Sequence, residues 1–138
     1  MKKLLTIILC MCLLFSMTAM NAFASTDGGT NIMLMAENYN NVVVELKINN
    51  NIAKASVEVA GIPGKTTKVM VRMYLQEYSG STWRTIDNWS LTKSGSILSL
   101  EKNANVDKGS KYRVKADITA YAGIERESIT KYSSAVNY

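Results

Sequence analysis

From residue 42 to near its end, the chain alternates hydrophobic and polar residues with a period of two. Such a period is that of a β-strand with one buried face, whereas an amphipathic helix would repeat every 3.6 residues. The pattern therefore predicts a series of strands and no helix in this region. It is strictest in residues 110–121, where the apolar set is Tyr112, Val114, Ala116, Ile118 and Ala120.

Clusters of Gly, Ser and Asn divide the region into about seven predicted strands. Asn49–Asn51 predicts a hairpin turn, because asparagine tolerates the positive φ that tight turns require. Residues 79–82 are interpreted as a four-residue loop, and residues 31–37, NIMLMAE, as a candidate first edge strand. The predicted strands are residues 42–48, 52–59, 67–78, 83–91, 96–102, 110–121 and 125–136.

Many short strands joined by such turns favour an all-β domain, an antiparallel β-sandwich of about seven strands, with a small closed barrel as the alternative. Tyr112 favours an immunoglobulin or fibronectin type III-like sandwich. It follows Gly109 at the start of the penultimate strand, on the inward face. Such sandwiches place a tyrosine there with its hydroxyl bonded back to the preceding loop. The predicted inward sets of two other strands are Ala53, Ala55, Val57 and Val59, and Val69, Val71, Met73 and Leu75.

The two tryptophans are predicted to face opposite ways. Residues opposite each other in a hairpin share a face, so Trp83 should lie beside Tyr78 on the outer face, half exposed. Ile86 has the opposite parity and should point into the core. A bulge at residues 87–88 would then turn Trp89 inward, where it serves as a structural core residue.

Two stretches, VMVRMYLQEYSGSTWRTIDNWS and VDKGSKYRVKADITAYAGIERESITKYSS, resemble a family of small secreted β-sandwich proteins from Firmicutes. The resemblance runs from about Leu46 to the end. It implies an immunoglobulin-like fold and an extracellular location but no established activity. Many members carry a cysteine pair in the first two strands, and this chain has none there. The matching residues are Gln76, Trp83, Trp89, Gly109, Tyr112, Arg113, Val114 and Tyr138.

The first 24 residues have the layout of a cleaved secretory signal peptide. Lys2 and Lys3 precede an apolar run, and small residues lead to a predicted cut between Ala24 and Ser25. The apolar run is too short for a comfortable membrane span, so we expect a secreted product without a stable membrane anchor. The predicted organisation is a signal peptide at 1–24, a flexible segment at 25–38 and a β-sandwich domain at 39–138.

The composition limits the kinds of site that the chain can form once the leader is removed. The two cysteines lie in the leader, and the sequence has no histidine. Disulfides, thiol chemistry and zinc sites built from Cys and His are thereby excluded after cleavage, and no metal or cofactor is expected. Without its leader the chain has 14 basic and 11 acidic residues, a net charge of +3. The basic residues are scattered, so no nucleic-acid partner is expected.

Aromatic and basic residues are predicted to share the outer face of one sheet. Rings stack on the flat faces of sugars and cations pair with acidic groups, so such a face suits an anionic glycan. The competing interpretation is that outward Lys and Arg only keep the sheet soluble and guard its edges. The candidate ligand-binding residues are Arg72, Tyr74, Tyr78, Trp83, Arg113 and Tyr121, with Lys111 and Lys115 beside them.

No catalytic residue is predicted. Glu125 and Glu127 lie two apart and could serve as a carboxylate pair, but the simpler interpretation is a solvated last strand. We therefore expect a non-enzymatic extracellular binding module of unknown ligand. The alternatives are a cell-wall or extracellular carbohydrate-binding module and a structural or self-associating protein. The edge strand VVVELKI, which has few charges, would recruit the partner protein in the last case.

Overall fold

In a computed structural model, residues 38–138 form an all-β arrangement of eight strands with no helix among them. The predicted signal peptide, its cleavage site, the segment that follows it and the candidate strand at 31–37 lie outside the described residues. The strands are β1 Tyr39–Asn49, β2 Ile52–Gly61, β3 Lys68–Ser79, β4 Thr82–Ser94, β5 Ile97–Asn105, β6 Lys111–Ala122, β7 Glu125–Tyr132 and β8 Val136–Asn137.

The strands form two antiparallel sheets. Sheet A has the order β1-β2-β5, and sheet B has the order β4-β3-β6-β7, with β8 also paired to β6. The strands predicted at 67–78 and 110–121 pair with each other as β3 and β6, at the centre of sheet B. The all-β prediction of two antiparallel layers is thereby confirmed.

The core lies between the sheets and is built mainly from β2, β3 and β6. Every second residue of these strands is buried, as the period of two predicted. Four of the buried residues are alanines, which leave room for the larger side chains opposite. The predicted inward sets all belong to this core, namely Ala53, Ala55, Val57, Val59, Val69, Val71, Met73, Leu75, Tyr112, Val114, Ala116, Ile118 and Ala120.

The turn between β1 and β2 has the predicted chemistry. Asn50 and Asn51 have φ of 49° and 62°, so both occupy the left-handed region that a type I′ turn requires. The turn between β3 and β4 differs from the expected four-residue loop. Ser79 pairs with Thr82, which leaves a two-residue turn at Gly80 and Ser81. Since four residues and two residues have the same parity, the predicted pairing of Tyr78 with Trp83 is still formed.

A bulge in β4 sets the directions of the two tryptophans. Gln76 pairs with Thr85 and Leu75 pairs with Asp87, so Ile86 is the extra residue. The predicted bulge at 87–88 was therefore one position too late. Trp89 pairs with the fully buried Met73 and packs half-buried against the core. The prediction that Ile86 enters the core is wrong, because the bulged residue has no partner opposite it and stays 37% exposed.

The predicted last strand at 125–136 is interrupted. Residues 133–135 separate β7 from β8, although both pair with β6. Ser133 explains the break, because its hydroxyl oxygen accepts the N–H of Val114 at 2.9 Å while its own N–H bonds to the carbonyl of Val114. A side-chain bond thus replaces one ladder bond and shifts the backbone out of register.

Tyr39 joins the two sheets through a buried hydroxyl that the sequence pattern did not reveal. The residue begins β1 in sheet A and is 7% exposed. Its hydroxyl accepts the N–H of Ala120 at 2.8 Å. The carbonyls of Glu127 and Ile118, at 2.7 and 3.0 Å, are the acceptors for its single proton. The start of sheet A is therefore anchored to β6 and β7 of sheet B.

Replacing Tyr39 with Phe should lower the free energy of unfolding by about 1–3 kcal/mol, because the N–H of Ala120 loses its acceptor in a buried place. Urea denaturation of the two proteins measures the difference. Tyr121→Phe is the control, since no hydrogen bond involves the Tyr121 hydroxyl among residues 38–138, and it should change stability by less than ~0.5 kcal/mol. Equal effects of the two changes would contradict this role.

Burial also raises the pKa of Tyr39, from 10.0 to about 12. The folded state therefore holds this proton more tightly than the unfolded state. The stability that the hydroxyl supplies should be complete below pH 10 and should fall as the pH rises through about 12. The measurement is the stability difference between the parent and Tyr39→Phe across this range. A difference that does not shrink above pH 10 would contradict the assignment.

Candidate binding surface

The outer face of sheet B collects the excess positive charge of the domain. Residues 38–138 contain 14 basic and nine acidic residues. The register of the strands puts six of the basic residues and only one acidic residue, Asp117, on this face. The remaining eight basic and eight acidic residues balance. The six are Lys68, Arg72, Lys111, Arg113, Lys115 and Arg126.

Arg113 lies near one end of this face, between two aromatic rings. Its guanidinium carbon is 4.1 Å from the ring centre of Trp83 and 4.4 Å from that of Tyr132. Its Nε donates to Oε1 of Gln76 at 2.9 Å. Each cation–π contact contributes about 0.5–1 kcal/mol at an exposed site. The planar guanidinium thus contacts both rings and is oriented by an amide, with no ion pair to a carboxylate among residues 38–138.

Four strands position this group. Arg113 comes from β6, Gln76 from the neighbouring β3, Trp83 from β4 and Tyr132 from β7. Gln76 is directly opposite Arg113 and is 8% exposed. The Arg113 side chain is long enough to contact rings from both outer strands of the sheet, β4 and β7. Gln76, its neighbour on β3, is shorter and lies buried beneath it. We call Tyr78, Trp83, Arg113 and Tyr132 the aromatic strip.

Tyr78 extends the aromatic strip on the β4 side. Its ring centre is 5.2 Å from that of Trp83, with 58° between the ring planes. This tilted arrangement is a favourable one for aromatic pairs. Tyr78 and Tyr132 are 42% and 50% exposed, whereas Trp83 is half-buried. The two tyrosines therefore offer the accessible ring surface, and Trp83 packs against Tyr78 and the Arg113 guanidinium.

A second group of side chains adjoins the aromatic strip towards the middle of the sheet. Lys115 lies 5.2 Å from the ring centre of Tyr74, and its ammonium pairs with Asp117 at 3.1 Å. The hydrogen bond to Asp117 raises the pKa of Lys115. Asp117 also accepts a hydrogen bond from Thr130 at 2.7 Å. A shallow depression follows, lined by Met70, Arg72, Asp117, Thr119, Ser128 and Thr130.

The structure brings some of the predicted site residues together and separates others. Tyr78, Trp83 and Arg113 are in contact, whereas Tyr121 lies near the far end of the face under the ammonium of Lys68, 4.0 Å from its ring centre. Tyr132 was missed by the sequence analysis. A two-residue turn at 123–124 would have revealed it, because that turn places Tyr132 opposite Lys115 and hence on the outer face.

Tyr112 anchors the strand that carries Arg113. It is 1% exposed, and its hydroxyl donates to the carbonyl of Asp107 at 3.0 Å, in the loop before β6. This is the bond that the sequence predicted. The Glu77 carboxylate lies nearby and accepts hydrogen bonds from Arg84 at 2.9 Å and from Ser110 at 2.8 Å. These bonds hold the pKa of Glu77 below its usual range.

The carboxylate pair considered in the sequence has separate surroundings. The Glu127 carboxylate accepts the backbone N–H of Asn38 at 2.8 Å, which helps to fix the start of β1. Glu125 is exposed at the beginning of β7. In the part of the chain that the structure describes, no three carboxylates come close enough to hold a metal ion.

Replacing Arg113 with Ala should lower the free energy of unfolding by about 1–2 kcal/mol, because two cation–π contacts are lost with the bond to Gln76. Arg113→Lys should recover only part of this, since an ammonium lacks the planar surface that stacks on both rings. Chemical denaturation measures both. Arg126→Ala is the matched control, an exposed arginine on the same face, and should cost less than ~0.5 kcal/mol. Equal losses for Arg113 and Arg126 would contradict the stacking.

Comparison with solved structures finds several distant similarities, including the following two. CsgH from R. palustris aligns with 70% of this chain and 89% of its own, at 7% sequence identity and a TM-score of 0.41. A protein from Arabidopsis thaliana aligns with 74% of this chain and 81% of its own, at 15% identity and a TM-score of 0.40. No family model and no curated protein matches the sequence. Residues 38–138 contain no helix able to cross a membrane. Neither similarity assigns a family or a function.

Proposed function

We propose that this chain is an exported, non-enzymatic binding domain that uses the outer face of sheet B to bind an anionic extracellular glycan, such as a cell-wall polymer. The observation that carries the proposal is the position of the charge: one face holds six cations, one carboxylate and five aromatic rings, while the rest of the domain is neutral.

The charge favours a polyanion as the ligand. A face with a net excess of five positive charges attracts an acidic polymer over a distance of about 10 Å at moderate ionic strength. Arg113 is held by rings and an amide, and no carboxylate of residues 38–138 neutralises its charge at hydrogen-bond distance. Acidic groups of a ligand would be its first charged partners.

The rings favour a sugar as the repeating unit. Tyr78 and Tyr132 are about half exposed, and both are already held by neighbouring side chains. A ring that is fixed before binding loses little conformational entropy when a ligand stacks on it. The depression beside the aromatic strip adds hydroxyl groups from Thr119, Ser128 and Thr130, which suit the hydroxyls of a pyranose.

The immunoglobulin or fibronectin type III-like fold and the export of the protein from the cell are part of the same proposal. Three strands in the order β1-β2-β5 facing four in the order β4-β3-β6-β7 support an immunoglobulin or fibronectin type III-like sandwich. The bond from Tyr112 to the preceding loop supports it further. The leader sequence supports export through a cleaved signal peptide. The resemblance to small secreted proteins from Firmicutes points to the same compartment.

Binding to three soluble polymers tests the proposal. Polygalacturonate presents acidic sugars, its methyl ester presents the same sugars without charge, and polyglutamate presents charge without sugar. We expect tightest binding to polygalacturonate, with affinity that falls as salt is added. Tyr78→Ala and Tyr132→Ala should each weaken that binding about tenfold, the equivalent of ~1.4 kcal/mol, and should leave polyglutamate binding unchanged.

Lysines on the two sheet faces provide matched charge controls. Lys111→Ala removes a cation from the outer face of sheet B and should weaken binding to both polyanions. Lys54→Ala removes one from the outer face of sheet A, where Lys54 pairs with Glu101 at 2.9 Å, and should have no effect. Circular dichroism verifies that each variant is folded. Two outcomes would refute the glycan assignment. One is that the protein binds neither polygalacturonate nor polyglutamate. The other is that it binds both with equal affinity and that neither Tyr78→Ala nor Tyr132→Ala changes this.

A further inference from the structure

Apart from the two-residue strand β8, four strands lie at the edges of the two sheets, and three of them carry charges on the side that faces the core. Such inward charges, like bulges, keep an edge from pairing with another chain. The register places Arg84, Asp87 and Lys93 on the core side of β4, which also has the bulge. On the same side, β5 has Lys102, and β7 has Glu125, Glu127 and Lys131.

The fourth edge strand, β1, lacks this protection. Its core-facing residues are apolar from Val42 to Ile48, and three of the four remain only half-buried, since β2 is the only strand of residues 38–138 that pairs with β1. From residue 41 to residue 49 the strand pairs with β2 without interruption. These core-facing residues are Val42, Val44, Leu46 and Ile48.

The backbone of β1 presents unpaired groups in a regular row. Asn49 and Ile52 flank a two-residue turn and hence form a hydrogen-bonded pair. Since such pairs alternate along an antiparallel ladder, the N–H and C=O groups of Val44, Leu46 and Ile48 point away from β2. No hydrogen bond reaches these groups from elsewhere in residues 38–138. They form a template for one more strand.

We propose that β1 pairs antiparallel with β1 of a second copy, so that sheet A continues across a two-fold dimer in the order β5-β2-β1-β1-β2-β5. The charges of Glu45 and Lys47 favour a second copy of this chain as the partner and determine the register of the pairing. When Leu46 lies opposite Leu46 of the second copy, Glu45 of each chain lies opposite Lys47 of the other. Val44 then lies opposite Ile48, so apolar residues meet on the core side and opposite charges meet on the outer side.

The neighbouring registers are less favourable. Shifting the two-fold centre by one residue in either direction would place Glu45 opposite Glu45, or Lys47 opposite Lys47, and would bring like charges together. In the structure Glu45 and Lys47 pair within their own strand at 3.1 Å, with side chains 50% and 72% exposed. Both are therefore free to turn towards a partner at small cost.

The dimer would have a consequence for ligand binding. Residues that lie opposite each other in a sheet share a face, so the core sides of the two copies point the same way. Both sheets B then lie on one side of the joined sheet, and their outer faces point in the same direction. If the proposed function holds, two binding faces would reach one extended surface together, which raises the apparent affinity.

Sedimentation equilibrium of the purified protein over a concentration series tests the dimer. We expect a reversible monomer–dimer equilibrium. Glu45→Lys places lysines opposite lysines and Lys47→Glu places glutamates opposite glutamates, so each should raise the dimer dissociation constant at least about tenfold. Mixing the two variants in equal amounts brings opposite charges together at both pairs and should restore association.

A charge change elsewhere on sheet A serves as a control. Glu101→Lys alters an exposed charge on β5, which is separated from β1 by β2, and should leave association unchanged. The double exchange Glu45→Lys with Lys47→Glu should dimerise like the parent. A parent that stays monomeric at all concentrations would refute the dimer. Dimers that persist in both single variants, or single variants that fail to associate when mixed, would refute this edge and register. None of these outcomes depends on whether the protein binds a glycan.

Discussion

The structure depends on the close packing of two sheets, and residues 38–138 contain no cysteine to form a disulfide between them and no cluster of residues able to hold a metal ion. The central strands β2, β3 and β6 supply side chains that are entirely buried, from small alanines to Met73 and Tyr112. Close packing of this kind is sensitive to the loss of single methylene groups. The core is formed by strands that are distant in the sequence. Its packing therefore determines where the outer faces and the edges of both sheets lie.

The hydroxyl groups of two buried tyrosines make hydrogen bonds that fix how the strands are placed within this packing. Tyr112 ties β6 to the loop before it, and Tyr39 ties β1 to the opposite sheet. A hydrophobic contact is nearly indifferent to small shifts of a strand along its axis, whereas a hydrogen bond is not. The register of sheet A relative to sheet B is therefore held by a few polar groups inside an apolar core.

Local pattern was enough to predict the inward residues of β2, β3 and β6 and the outward pairing of Tyr78 with Trp83. Each of these follows from a period of two and from turns whose parity the sequence reveals. The bulge at Ile86 could not be placed to the residue, because it is set by how β4 packs beside β3 and not by the composition of β4. Tyr132 was missed because its direction depends on the length of the turn between β6 and β7. Tyr39 was missed because its hydrogen-bond partners lie on strands far away in the sequence.

The extra residue in β4 has a consequence for how such a chain can change over time. Trp83 and Trp89 are six positions apart, so a regular strand would put both on one side. The inserted Ile86 sends one to the solvent side and the other against Met73. Point substitutions can alter what each ring touches but cannot move it to the opposite side of the sheet. Only the gain or loss of a residue between the tryptophans can move a ring to the other side. Either event would turn one of the two tryptophans from its present side of the sheet to the opposite side in a single step.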